Sequence, residues 1–135
     1  MAIYKMPLEA AVDVISVRAL AFKRFLEIAA LLDLQTDVIT DNDGDVEALK
    51  KKYDGYLDKE RIKIRYDDDV NSKTLEPQLL KANGRAAINA VIGKDFQTDA
   101  ELLAYMEANK TEVALRFFRT DKPWVVPPYI EAAIG

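Results

Sequence analysis

The chain has 135 residues, 50% hydrophobic and 31% charged, with a formal net charge of −4. That is the size and balance of one globular domain, able to bury roughly two-thirds of its unfolded surface. It contains no cysteine and no histidine, which excludes disulfides, thiolate zinc sites, Ser-His-Asp catalysis and imidazole metal ligands. Polar chemistry is left to carboxylates, lysine, tyrosine and hydroxyls, around a hard cation if any. The acidic balance argues against bulk adhesion to nucleic acid or anionic membrane, although a bound cation can invert the sign of a local acidic site. No apolar run approaches the roughly 20 residues needed to span a bilayer. The start, Met-Ala-Ile-Tyr-Lys-Met-Pro, lacks a secretory pattern, so a soluble, cytoplasmic protein without membrane contact is expected.

In chain order, Val12 to Val17 is a short β-branched apolar run and reads as a buried strand. From Leu20 to Leu32 the period lengthens, and Phe22, Phe25, Ile28, Ala29 and Leu32 are expected to form the apolar face of a helix. Thr36 to Thr40 reads as a second strand, ending in the turn Asp41-Asn42-Asp43-Gly44-Asp45. A second helix follows, with Val46, Leu49, Tyr53 and Tyr56 as its stripe. Ile62, Ile64 and Tyr66 then alternate with Lys63 and Arg65 in the manner of a half-exposed strand. Short strand-helix-strand-helix-strand connections imply a parallel, Rossmann-like sheet with right-handed crossovers. Beyond residue 73 the pattern is mostly helical. Thr98 and Glu101 form a capping-box pattern, Asn83-Gly84 marks a break, and Tyr129 to Ile134 closes as a short helix. The expectation is one domain over 1–135, with an α/β half over 1–73 and a helical half over 74–135.

Ligands of open α/β sheets gather at the carboxyl ends of the strands, where Asp41 and Asp43 fall two residues apart. Oxygen donors on a strand end suit Mg²⁺, which takes one or two carboxylates and keeps waters. The plainer alternative is a polar turn, and for Asp45 a helix cap is favoured. A calcium loop is also suggested, but its twelfth position holds Lys52 rather than glutamate. Asp67-Asp68-Asp69 reads as a solvated acidic loop. Thr74, Glu76 and Pro77 suit a helix cap and first turn, and Lys110 is acceptable as an ordinary exposed lysine. Lys23, Arg24, Lys50, Lys51 and Lys52 could meet phosphates, but lysines on polar helix faces are expected of any soluble protein.

Taken together, VDVISVRALAFKRFLEIAALL followed by VITDNDGD, TLEPQLL, NKTEVALRFF and VPPYIEAAI resembles the Toprim domain of the overcoming-lysogenisation-defect (OLD) family of ATP-dependent endonucleases. The resemblance covers nearly the whole chain and implies a Toprim-like parallel sheet with flanking helices. It also implies two-metal cleavage of DNA phosphodiesters, with Mg²⁺ or Mn²⁺ as the cofactor. By match to the family pattern, Asp41 and Asp43 would bind metal, Thr74 and Glu76 would contribute to the second metal position, and Lys110 would stabilise phosphate charge. Such chemistry is coherent without histidine, since cations can activate water and stabilise the leaving oxygen.

The departure is at the front. Toprim nucleases open with a strand ending in an EGxxD or EGxxE motif and then a helix, whereas only eleven residues precede Val12. A truncated domain lacking the first catalytic glutamate, weakly active or inactive alone, is therefore expected. There is no GxxxxGK[ST] phosphate loop, so no ATP site is expected in this chain. Two other readings are carried beside the nuclease. One is a non-enzymatic interaction or oligomerisation module, in which a second copy or a partner chain covers an exposed sheet edge and supplies the glutamate. The other is phosphoryl chemistry on a small molecule.

Overall fold

The computed structural model describes residues 14–17 and 21–134. In chain order the elements are α1 (Ala21–Leu31), β1 (Thr36–Ile39), α2 (Val46–Lys52), β2 (Ile62–Arg65), α3 (Leu75–Asn83), α4 (Arg85–Ile92), α5 (Asp99–Ala108), α6 (Lys110–Arg119) and α7 (Pro128–Ile134). The class is mixed α/β. Among the described residues the sheet has two strands, β1 and β2, which pair in parallel with Thr36 opposite Ile62 and Ile39 opposite Arg65. The crossover between them carries α2, as a parallel pair requires. A diagonal ion pair across this ladder, Arg65 Nε to Asp37 Oδ1 at 2.7 Å, ties the exposed face.

The strand expected over Val12 to Val17 is corrected for the part that is described. Residues 14–17 are not a strand, and Val14 and Ile15 are 81% and 60% exposed; Val12 and Asp13 lie outside the described residues. The helix that follows is in place, and its inward face is only partly the expected one: Phe22 and Ala29 face the core, Phe25, Ile28 and Leu32 do not, and Leu26 takes their place. Leu26 and Ala29 are buried with Phe22 packed beside them, whereas the other three are exposed. The segment AFKRFLEIAALL carries two apolar stripes, Phe22-Leu26-Ala29 and Phe25-Ile28-Leu32, each with helical spacing. Periodicity cannot choose between them. Packing onto β2 does.

Two apolar clusters result. Leu26, Leu49, Tyr53 and Ile62 form one, with Phe22, Val38, Tyr56, Ile64 and Tyr66 against it. The other joins α3 to α6 through Leu79, Ile88, Val91, Ile92, Leu102, Met106, Val113 and Phe117. The joint between α3 and α4 is the expected break: Gly84, at φ 84°, is both the cap of one helix and the start of the next. The Thr98 hydroxyl accepts from the Glu101 amide while the Glu101 carboxylate accepts from the Thr98 amide, which makes the capping box complete.

Asparagines fasten the loops. Asn89 donates to the Phe96 carbonyl and accepts from its amide, at 3.0 and 3.2 Å. Asn83 does the same to Val125, at 2.8 and 2.6 Å. That second clasp holds the proline-bearing segment, whose Pro127 is fully buried. It returns α7 to pack on β1 and β2, so the C-terminal helix of the helical half lies against the α/β half. Among the described residues no helix is long and apolar enough to cross a membrane.

Candidate functional site

The strand-end turn after β1 is built around Asn42, which is 1% exposed. Its amide nitrogen donates to the carbonyls of Asp67, Asp69 and Ser72 at 2.7, 3.0 and 3.2 Å. Its oxygen accepts from the Gly44 amide at 2.8 Å. A side chain with this many backbone partners over a sequence gap of about thirty residues locks one loop to another. The loop after β1 is thereby stitched to the loop after β2. Asp43 and Gly44 both take positive φ, 52° and 83°, and the Asp43 amide donates to the Lys73 carbonyl at 3.2 Å. Asp41 and Asp43 therefore flank a buried anchor, Asp41 itself half-buried and Asp43 exposed. Asp45 accepts from the Ala48 amide at 2.9 Å and caps α2, as its turn chemistry suggests.

The acidic run 67–69 is not the simple solvated loop expected from its charge. Asp67, with a side chain only 12% exposed, accepts both from the Asp69 amide and from the Lys81 ammonium, the latter at 2.7 Å. Asp69 accepts from the Asn71 amide and the Ser72 hydroxyl. Those hydrogen bonds, the Asn71 one first, hold its carboxyl below the usual range. The run is thus a turn that folds onto α3. Only Asp68 is plainly exposed.

Residues 74–76 enter the same neighbourhood from α3. Thr74 precedes the helix with extended backbone, but its hydroxyl makes no cap hydrogen bond; the expected side-chain cap is absent. Glu76 lies in the first turn, where an anion is favoured by the helix dipole, and it is 9% exposed. Two residues on, Gln78 is fully buried; its amide donates to the Ser72 carbonyl at 2.9 Å and its oxygen accepts from the Tyr129 hydroxyl at 2.6 Å. Gln78 thus connects the β2–α3 loop to α7. The Tyr129 hydroxyl pKa is pushed up to about 12, by burial first and then by the negative charges of Asp41 and Asp67.

Lys110 opens α6. Asn109 separates α5 from α6, with its amide and side-chain nitrogens both donating to the Tyr105 carbonyl. Lys110 shares a helical stripe with Val113 and Phe117, both buried, which turns its ammonium towards Glu76. The Lys110 Nζ to Glu76 Oε1 distance is 3.3 Å. The other carboxylate oxygen, Oε2, is buried without a hydrogen-bond partner. Burial raises the Asp41 pKa, and Asp43 and Glu76 raise it further while Lys110 opposes them.

Asp41 and Asp43 thus lie within electrostatic reach of Glu76 and Lys110, which are far from them in sequence. The carboxylates do not converge on a ready-made group of three metal donors among the described residues. Mg²⁺ does not require one, since one or two carboxylates with waters suffice. The orphaned Glu76 oxygen and the negative charge around Asp41, which Lys110 only partly offsets, fit a cation. Three contributors carried no recognisable sequence signal: Asn42 as an anchor, Gln78 as a bridge and Tyr129 as its partner. Burial is what distinguishes them, and a mid-turn Asn or a helical Gln reads as exposed by default. The chain matches no family model, no curated protein sequence and no solved structure among those compared.

Proposed function

We propose that this chain binds a divalent cation, Mg²⁺ or Mn²⁺, and serves phosphodiester cleavage in DNA, the chemistry of the OLD-type Toprim domain that its sequence resembles. One observation carries the proposal. Glu76 is buried with one oxygen on Lys110 and the other without a partner, beside the strand-end carboxylates Asp41 and Asp43. A buried carboxylate oxygen without a donor costs on the order of 1–3 kcal/mol, and a cation relieves that cost.

Asp41 and Asp43 would hold the ion from the strand end and Glu76 from α3, with Thr74 beside it. When bound, the ion supplies Lewis-acid polarisation of a phosphoryl oxygen and a more acidic water. The chain's own residues orient that event. Asn42 holds the two aspartates in register with the β2–α3 loop, and Gln78 and Tyr129 hold α7 against it. Lys110 offsets negative charge on a phosphate oxygen. The family's EGxxD or EGxxE motif has no match in the sequence.

The test pairs binding with cleavage. Calorimetric titration with Mn²⁺ is expected to show binding that Asp41→Asn and Glu76→Gln each weaken at least tenfold. Supercoiled plasmid is expected to be nicked only with the metal, and not by Asp41→Asn. Wild-type protein that binds no Mn²⁺ at millimolar concentration would overturn the proposal.

A second reading, an interaction or oligomerisation module, has its own observation. Phe25, Ile28, Leu31 and Leu32 on and just after α1 are 45–85% exposed, a contiguous apolar surface of the kind that marks contact sites. Light scattering that reports a monomer from micromolar to millimolar concentration counts against self-association through it.

A further inference from the structure

We propose that Lys110 is a displaceable counter-ion: its ammonium holds Glu76 in the metal-free protein, and a divalent cation binding there releases it towards a phosphate. This rests on the reading of Asp41, Asp43 and Glu76 as the cation-binding groups.

The placement of Lys110 is the first reason. A cation at the N-terminal end of a helix opposes the helix dipole, yet Lys110 is the first residue of α6. Its closest favourable interaction is the 3.3 Å contact with Glu76. The second reason is asymmetry of burial within that pair. The Lys110 side chain is 62% exposed and that of Glu76 is 11% exposed. The carboxylate is therefore fixed in the protein, while the ammonium reaches it from the solvent side on a flexible stem. Leaving costs the lysine little, because water receives it; the buried glutamate has no such option.

The third reason is the state of Glu76 itself. The ammonium engages one oxygen and leaves Oε2 without a partner, so lysine is an incomplete match for the site. A hard cation with its waters can satisfy a carboxylate more fully. It would also repel an ammonium a few ångströms away. The lysine then moves outward, on the solvent side, where a phosphodiester approaching the cation would lie. Charge neutralisation of that phosphate is the ordinary use of such a lysine. Metal-free protein would thus hold its phosphate-binding cation in reserve, and the metal would make it available.

The experiment uses the full chain and follows the lysine itself. The rate of acetylation of each lysine by an amine-reactive ester is read by mass spectrometry with and without Mg²⁺, alongside calorimetric Mg²⁺ titration. Lys110 is expected to react several-fold faster with Mg²⁺ present, while Lys23 and Lys94 do not change. In Glu76→Gln its rate should be high already and insensitive to Mg²⁺. Lys110→Met, at an exposed position and so expected to fold, should bind Mg²⁺ about tenfold more tightly, the order expected for removing a unit charge about 6 Å from a divalent ion in water-like surroundings. Mg²⁺ binding with unchanged or slower Lys110 acetylation would overturn the displacement and leave the cation site standing. Absence of Mg²⁺ binding in both wild type and Lys110→Met would overturn both. Binding only by Lys110→Met would overturn the displacement, because the lysine would then exclude the ion rather than yield to it.

Discussion

Replacing Asn42 by alanine removes the side chain that joins the two strand-end loops, and the cost can be worked from its contacts. Its amide nitrogen carries two protons yet lies 2.7, 3.0 and 3.2 Å from three carbonyls, so two full hydrogen bonds and a shared third are lost. The 2.8 Å acceptor contact to the Gly44 amide is lost as well. Each intact bond contributes roughly 0.5–1.5 kcal/mol net, and buried carbonyls left without donors add to the loss. Asn42→Ala should therefore destabilise by about 3 kcal/mol, a large share of the 5–15 kcal/mol typical of a domain. At about 2.1 cal/mol/K per residue of unfolding entropy, 135 residues lose about 10 °C in Tm. Urea unfolding gives the free energy, and an unchanged m-value confirms that the native state is still the reference. Asn42→Asp is the sharper variant: it keeps the acceptor for Gly44, turns a donor into an acceptor facing three carbonyls, and should cost at least as much. A loss below about 1 kcal/mol for both would refute the claim that Asn42 registers Asp41 and Asp43 against the β2–α3 loop.

Tyr129→Phe should cost about 1–3 kcal/mol, because it leaves the buried Gln78 oxygen without its 2.6 Å donor; urea unfolding checks this. The Tyr129 pKa rises from 10.0 to about 12 on folding, so its contribution is complete below pH 10 and is lost as pH rises towards 12. Thermal melts across that window should fall less steeply for the variant. Lys81→Met should lower Tm by about 2 °C at neutral pH, a small effect because the lysine is partly exposed. Asp69 is held below its ordinary value of 3.8, so its contribution is present above that pH and lost as pH falls through the lowered value. Burial pulls Lys81 down, but Asp67 and Asp69 outweigh it and leave the pKa above 10.5, so its contribution persists until pH exceeds that. The gap between wild type and Lys81→Met should therefore be visible at pH 7 and shrink as pH falls through the lowered Asp69 value, and a gap that does not shrink in acid would contradict the ion pair as its cause. Gly44→Ala should destabilise by about 1–2 kcal/mol, since φ is 83° and an added Cβ would lie 3.0 Å from the Lys73 side chain; an unchanged melting temperature would count against that strain.

The sequence by itself determined the elements whose signal is local. The alternating Ile62-Lys63-Ile64-Arg65, the Thr98–Glu101 box, the Asp45 cap and the Asn83-Gly84 break each depend on neighbours within a few residues, and each stands where the pattern indicates. The nearness of Asp41 and Asp43 was legible for the same reason. What only the tertiary structure decided is which of several equivalent surfaces turns inward. Helix α1 has two apolar stripes of similar merit, and contact with β2 selects Leu26 and Ala29 over Phe25 and Ile28. Thr74 sits in a cap position that its hydroxyl does not use, because a side chain's choice of partner depends on what else approaches it. Asp67 and Asp69, which read as solvated charge, become a clasp for Lys81 because α3 passes beside them. Likewise Glu76 and Lys110 are 34 residues apart, and only the packing of α3, α5 and α6 brings the carboxylate and the ammonium to 3.3 Å. Burial and long-range charge are sums over the whole fold, whereas capping, turn formation and alternation are local, and that is why the second set was readable and the first was not.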